Sequence, residues 1–319
     1  NVTGVQTCAL PIWMTFMVIA SIPYRSAVLR SDLGHGALED DCHPLLSSET
    51  VISSHLNDPI GVFDSGVGGL TVVRALMERL PFENIIYFGD TARVPYGVKS
   101  VETIASYARQ ITEFLLQQRV KILIIACNTM AAVAHQVVDD LSNVPVLDVI
   151  DAGARTAAIV TRARYVAVIG TPATINSNAY ARAIHRYDSS VRIFSQACPL
   201  FVPLVEEGWL DHPVTRLTAQ EYFKHILCHP VDAIVLGCTH YPLLKPLLQE
   251  VAGDGIVLVD SAEAMADQTA SVLSERHLSN TQDTPPDYTF YVTDVPLRFQ
   301  TIGERFLGRT LSNVRVIKW

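Results

Sequence analysis

Two cysteines stand where a chain leaving a sheet would turn its side chains toward a cleft. Cys127 closes the apolar run of ILIIACNTMAAV and Cys238 that of AIVLGCTHYPLL; each is followed by an amide or a hydroxyl, then by Thr or His. A helical stretch comes next in both, where free N–H groups and the helix dipole would lower a thiol pKa. An unperturbed thiol of pKa about 8.5 is about 3% ionised at pH 7, so holding it as thiolate costs about 2 kcal/mol, within reach of one helix terminus and a hydrogen-bonding neighbour. A lone cysteine in such a place is more often an inert core residue. Two at matched strand ends argue for chemistry: a thiolate on one wall can take a proton from a carbon while a thiol on the other wall returns one to the opposite face. That inverts a stereocentre, and running it both ways suits two chemically equal groups.

Two further turns carry polar groups. FDSGVGGL places Asp64 and Ser65 at the mouth of a strand, with glycines that let backbone N–H groups approach an anion. It fits neither G-x-x-x-x-G-K-[ST] nor G-x-G-x-x-G, which weighs against a nucleotide ligand. FGDTARVPYG supplies Asp90, then Pro95, Tyr96 and Gly97 in a rigid turn that, taken alone, reads equally well as an ordinary surface β-turn.

From residue 58 onward short apolar runs alternate with amphipathic stretches, the pattern of strands and helices wound into parallel sheets. Strands are predicted at 60–63, 84–89, 121–127, 144–149, 165–170, 191–196, 232–238 and 255–260. Leu70, Val73, Leu76, Met77 and Leu80 recur at helical spacing, as do Ile104, Tyr107, Ala108, Ile111, Phe114 and Leu115, and both stripes read as core faces. The strands fall into two sets of four: VFDSG at 62 answers to VIGTP at 168 and IIYFGD at 85 to VRIFSQ at 191, each at an offset of 106 (168 − 62, 191 − 85), while the cysteines lie 111 apart (238 − 127). The fold class is therefore α/β, two similar pseudo-symmetric parallel-sheet domains facing each other across a cleft. Ligands bind beyond the carboxyl ends of such strands, so each wall would contribute one thiol. The expected boundaries are 58–151 plus 261–319 for the first domain and 152–260 for the second, with a helix from Ser261 returning to the first domain, a turn at Pro285 and Pro286, and a final helix around RFQTIGERFLG.

The chain of 319 residues carries a net charge of -8, which weighs against nucleic acid or an anionic membrane surface as partner. Its six cysteines show no zinc spacing and no disulfide-dense pattern, pointing to a reducing, cytoplasmic setting in which Cys42, Cys198 and Cys228 are inert. The apolar run at 8–20 is too short to span a bilayer and lacks a preceding basic segment. NVTGVQTCALPI resembles translated adapter sequence more than natural protein, so residues 1–57 are expected to be an extension, disordered or partly artefactual, with the true start at Met14, Met17 or later.

Taken together, FDSGVGGL, VPYG, ACNT, FVPLVEEG and GCTHYPLL make residues 58–319 resemble the glutamate racemases, cofactor-independent enzymes that supply D-glutamate for peptidoglycan. The resemblance implies Cys127 and Cys238 as catalytic thiols acting on D- and L-glutamate respectively, with Asp64 assisting near Cys127, His240 near Cys238, and Asp90 and Glu206 on further acidic positions. Substrate binding would fall to Asp64, Ser65, Tyr96, Gly97, Asn128, Thr129, Thr239 and His240. None is Lys or Arg, so hydroxyls, amides and helix-start N–H groups are expected to hold the carboxylates and Asp64 the ammonium. No cofactor and no metal are expected, the partner is a small molecule, and the assembly is a monomer or a homodimer. The rival readings are an aspartate racemase, whose two-thiol logic is the same; a pyridoxal-phosphate racemase, for which Lys99, Lys121, Lys224, Lys245 and Lys318 all sit outside the strand-end motifs; a thiol redox protein; and a non-catalytic amino-acid-binding module.

Overall fold

Strands that are apolar along their whole length need cover on both faces, and parallel α/β sheets provide it. In the computed structural model, which describes residues 56–282 and 284–319, the chain runs β1 (Ile60–Asp64), α1 (Leu70–Arg79), β2 (Ile85–Gly89), α2 (Val101–Gln117), β3 (Ile122–Ile125), α3 (Asn128–Leu141), β4 (Val146–Asp148) and α4 (Val149–Val160). It continues through β5 (Tyr165–Gly170), α5 (Pro172–Asn176), α6 (Ala179–Tyr187), β6 (Arg192–Ala197), α7 (Phe201–Glu206), α8 (Pro213–Ile226), β7 (Ala233–Gly237), α9 (Lys245–Ala252) and β8 (Val257–Asp260). It ends with α10 (Ser261–Glu275), β9 (Tyr288–Val292), α11 (Pro296–Leu307) and β10 (Val314–Val316). The described residues belong to one structural unit. The expected extension, with Cys8, Cys42 and the apolar run at 8–20, lies outside them but for its last two residues; among those described, no helix is long and apolar enough to cross a membrane.

Two sheets result, one in the order β10-β9-β2-β1-β3-β4 and one in the order β6-β5-β7-β8. Each strand pairing is parallel. The orders β2-β1-β3-β4 and β6-β5-β7-β8 are the same arrangement, so the internal repeat in the sequence is a repeat in space. It extends to the last strand of each set, where Asp148 ends β4 and caps α4 by accepting from Ile150 and Asp151 N–H, while Asp260 ends β8 and caps α10 through Ala262 N–H. All eight predicted strands form, within a few residues of their expected ends. The prediction missed β9 and β10, which extend the first sheet at its β2 edge: YTFYV was passed over between the turn at Pro285 and the final helix, and Val314–Val316 is too short to carry a period.

A buried ion pair ties down the base of the first sheet. Lys121, just before β3, faces Glu83 with side chains 2% and 4% exposed. Its Nζ also donates to the carbonyls of Leu56 at 2.7 Å and Leu278 at 2.8 Å, and Glu83 Oε1 accepts from Asn280 N–H at 2.8 Å. Removing the cation alone would strand a carboxylate in the interior. Lys121→Ala is therefore expected to lower the unfolding free energy by about 3–5 kcal/mol; a urea melt showing a loss below about 1 kcal/mol would refute this account of the pair.

Candidate active site

The two sheets share a cavity of about 550 Å³ at the carboxyl ends of β1, β3, β5 and β7. Cys127 lies two residues beyond β3 and is the N-cap of α3. Cys238 follows β7 directly, but what comes after it is a 3₁₀ turn, Tyr241–Leu244, that runs into α9, so it does not cap an α-helix as the sequence suggested. Both thiols are 6% exposed and line the same cavity, with Asp64, Ser65, Tyr96, Gly97, Asn128, Thr129, Glu206, Thr239 and His240. Of the residues singled out in the sequence, Asp90 alone is absent from the lining.

Asp90 is fully buried beneath it. Its carboxylate accepts from Tyr96 Oη and pairs with Arg93, and it accepts from Thr293 Oγ1 at 3.0 Å. Arg93 in turn lies over the Tyr107 ring, 4.0 Å from its centroid. The acid therefore holds the turn that carries Tyr96 and Gly97, which follows the cis Val94–Pro95 peptide.

The first thiol has an acidic neighbourhood. Cys127 Sγ lies 3.6 Å from Ser65 Oγ. Asp64 is 1% exposed and its Oδ2 accepts from Gly66 N–H at 2.9 Å. Burial pushes the Asp64 carboxyl up, against the N–H of Gly66 and the charge of His240. Burial also pushes the Cys127 thiol up to about 12, the Asp64 charge adds to this, and the N–H of Met130 and the Ser65 hydroxyl only partly offset it. The helix start does act on the sulfur as anticipated, but desolvation outweighs it.

The second thiol has a basic neighbour. His240 Nδ1 is 4.0 Å from Cys238 Sγ, and its Nε2 meets Glu206 Oε1 at 3.1 Å. Burial alone would lower the imidazole; hydrogen bonds to the Cys238 sulfur and to Glu206 more than reverse this and raise it to about 10. The two thiols thus sit in opposite electrostatic settings, a carboxylate beside one and a protonated imidazole beside the other.

Two buried polar atoms at the cavity wall have no hydrogen-bond partner among the described residues. They are Asp64 Oδ1 and Asn128 Nδ2. Tyr180 Oη donates to Asn128 Oδ1 at 2.7 Å, which leaves the amide's donor end unused. Leaving such groups unpaired costs about 1–3 kcal/mol each, and a ligand that offers a donor to Asp64 Oδ1 and an acceptor to Asn128 Nδ2 would satisfy both.

The repeat could have located one lining residue that sequence reasoning passed over. Thr171 stands at the position equivalent to Ser65 (65 + 106), lines the cavity, and meets Thr129 Oγ1 at 3.2 Å. Phe299 and Ile302, which close the cavity from α11, carry no local signal at all. Cys198 is buried, its Sγ 3.6 Å from the Gln196 carbonyl, and Cys228 is exposed; neither reaches the cavity.

The profile of the Asp/Glu/Hydantoin racemase family matches residues 60–269. The glutamate racemase of Syntrophus aciditrophicus (strain SB) is 75% identical over 260 residues, covering 82% of this chain and 96% of that one. That of Neisseria meningitidis serogroup A is 60% identical, covering 81% and 96%. Among solved structures, glutamate racemase from Francisella tularensis in complex with D-glutamate superposes with TM-score 0.77 at 45% identity, covering 82% of this chain and 98% of that one. An aspartate racemase from Picrophilus torridus, 16% identical at TM-score 0.51 and covering 70% of this chain and 99% of that one, shares the fold.

Replacing Asp64 by Asn removes a negative charge that raises the Cys127 pKa, so the thiol should ionise at lower pH. Alkylation of the Cys127 peptide by iodoacetamide, followed by mass spectrometry at one alkaline pH, should run up to about tenfold faster than in the wild type. Unchanged or slower alkylation would contradict the assigned cause.

Proposed function

This chain belongs to the Asp/Glu/hydantoin racemase family, and we propose that it interconverts L- and D-glutamate with Cys127 and Cys238 as the two bases, supplying D-glutamate for peptidoglycan. It is an isomerase of the amino-acid racemase class. The observation that carries the assignment of roles is the placing of both thiols, one from each repeat, on one cavity that also holds the unpaired Asp64 Oδ1 and Asn128 Nδ2.

The chemistry follows from the two settings. With His240 up at about 10 beside Cys238 and the Cys127 thiol up at about 12, an imidazolium stands beside one sulfur while burial holds the other as a thiol. L-Glutamate meets a base in Cys238, which takes the Cα proton, and an acid in Cys127, which returns a proton to the opposite face. D-Glutamate needs the reverse state. At pH 7 a thiolate of pKa about 12 stands roughly 7 kcal/mol above its thiol, so Cys127 acts as base only once its surroundings change. The substrate's ammonium, paired with Asp64 Oδ1, neutralises the charge that opposes ionisation. Asn128 Nδ2 donates to a carboxylate, as do N–H groups at the start of α3, and these bonds tighten as charge builds there with loss of the Cα proton. Neutral donors do this without adding an arginine or lysine beside either sulfur.

Thr129, Thr239, Tyr96, Gly97 and Ser65 complete the binding set, and Glu206 orients His240. Asp90 serves one step back, through Tyr96. None of the five lysines is among the lining residues, which weighs against a Schiff-base mechanism. Glutamate is favoured over aspartate by the identity to glutamate racemases. The walls are read as 58–151 with 261–319 and 152–260, the setting as cytoplasmic, and the partners as the small-molecule substrate and, in a homodimer, a second copy, without nucleic acid or membrane.

The test uses purified protein without added cofactor, incubated with either enantiomer in deuterated water. Loss of optical rotation and deuterium at Cα are expected from both, and absence of both signals from both enantiomers sinks the proposal. Cys127→Ala and Cys238→Ala should each lower kcat by about 10²–10⁴-fold; near-normal turnover in one of them would reject the two-base assignment.

A further inference from the structure

The turn after Cys238 is fastened from the other sheet. Thr71, in the first turn of α1 and 7% exposed, donates its hydroxyl toward the Gly68 and Thr239 carbonyls, each at 3.0 Å and the second across 168 residues of chain. The two turns meet so closely at Gly68 that a Cβ there would lie 2.2 Å from Thr239 Oγ1 and 2.7 Å from the His240 ring, closer than real Cβ contacts come. Only glycine allows this approach.

Glu206 is held from the same side. Arg305 on α11 donates to the carbonyl of Glu206 at 2.9 Å and to that of Val205 at 3.3 Å, the last carbonyls of α7; that of Val205 also accepts from Gly208 N–H at 2.9 Å. Gly208, at φ +80°, leaves room for the guanidinium, since a Cβ there would be 2.9 Å from Arg305 Cζ. The next residue of α11, Phe306, sets the edge of its ring against His240, with centroids 5.1 Å apart.

We propose that Thr71 and Arg305, from helices packed with the six-stranded sheet, are positioning residues for the Cys238–His240–Glu206 relay on the four-stranded side. The inference rests on the two-thiol reading above. Two groups on opposite walls serve one carbon only if the walls keep register, and a misplacement of about 1 Å can cost about 10²-fold. Thr71 fixes the peptide between Thr239 and His240, and Arg305 fixes the backbone of the acid that orients the imidazole. Neither touches the cavity, so both act through the residues they hold.

The reaction itself limits what rates can reveal. Its products are enantiomers, so the equilibrium constant is unity and any variant must lose kcat/KM equally in both directions. Primary isotope effects separate the two proton transfers. In Thr71→Val and Arg305→Ala, kcat is expected to fall about tenfold with KM within about twofold. The deuterium isotope effect on kcat/KM should grow with Cα-deuterated L-glutamate, whose proton goes to Cys238, and shrink with the D enantiomer. Thr71→Ser and Arg305→Lys, which keep a donor, should return toward wild-type values, and thermal melts confirm that each variant folds. Mere loss of folded protein would lower rates while leaving both isotope effects where they were. Wild-type turnover together with unchanged isotope effects in both variants overturns this inference alone. An inert wild-type chain overturns the two-thiol reading and this inference with it.

Discussion

The fold brings two thiols, one from each repeat, to a single cavity. A strand of a parallel sheet delivers its last side chains into solvent at one end only, so two thiols can converge only if two sheets present the same ends to each other. The repeat meets that constraint with equivalent strands: β3 leads to Cys127 and β7 to Cys238, each flanked on one side by the first strand of its half. Fully buried strands such as β1 and β7 then need helices on both faces, and helices α1 and α11 of the first half bring Thr71 and Arg305.

The symmetry stops at the electrostatics. Deep burial and a carboxylate hold one thiol protonated, while the other has beside it an imidazole that its contacts with Cys238 and Glu206 keep protonated. In the proposed mechanism substrate charge carries the difference between the two directions, since an ammonium beside Asp64 would relieve the repulsion that adds to burial in keeping Cys127 neutral. An arginine in the site would bind glutamate more tightly but would bias both sulfurs toward thiolate.

Legibility in the sequence followed the physical range of each signal. The central strands β1, β3, β5 and β7 were visible because burial on both faces demands apolar runs, and the edge strand β6, of mixed composition, through its match to β2 in the repeat. The thiols, Asp64, Asn128 and His240 were visible because they sit at the ends of those runs. Strands β9 and β10 were missed: one is five residues beside a proline turn, the other three residues long. Asp90 entered the site only through the family resemblance, because an acid in a turn after a strand reads the same whether it faces the cleft or, as here, holds Arg93, Tyr96 and Thr293 outside the lining.

The sequence by itself determined the α/β class, the duplication, the pairing of Cys127 with Cys238 and, through the family motifs, the reaction. These are properties of local pattern and of residue type at a strand end. Tertiary structure alone decided the thiol settings, where burial overrode the helix start at Cys127, and the contacts of Thr71 with Thr239 and Arg305 with Glu206. Desolvation is a sum over everything packed around an atom, and a contact across 168 residues has no local period. Both exist only once the two sheets have met.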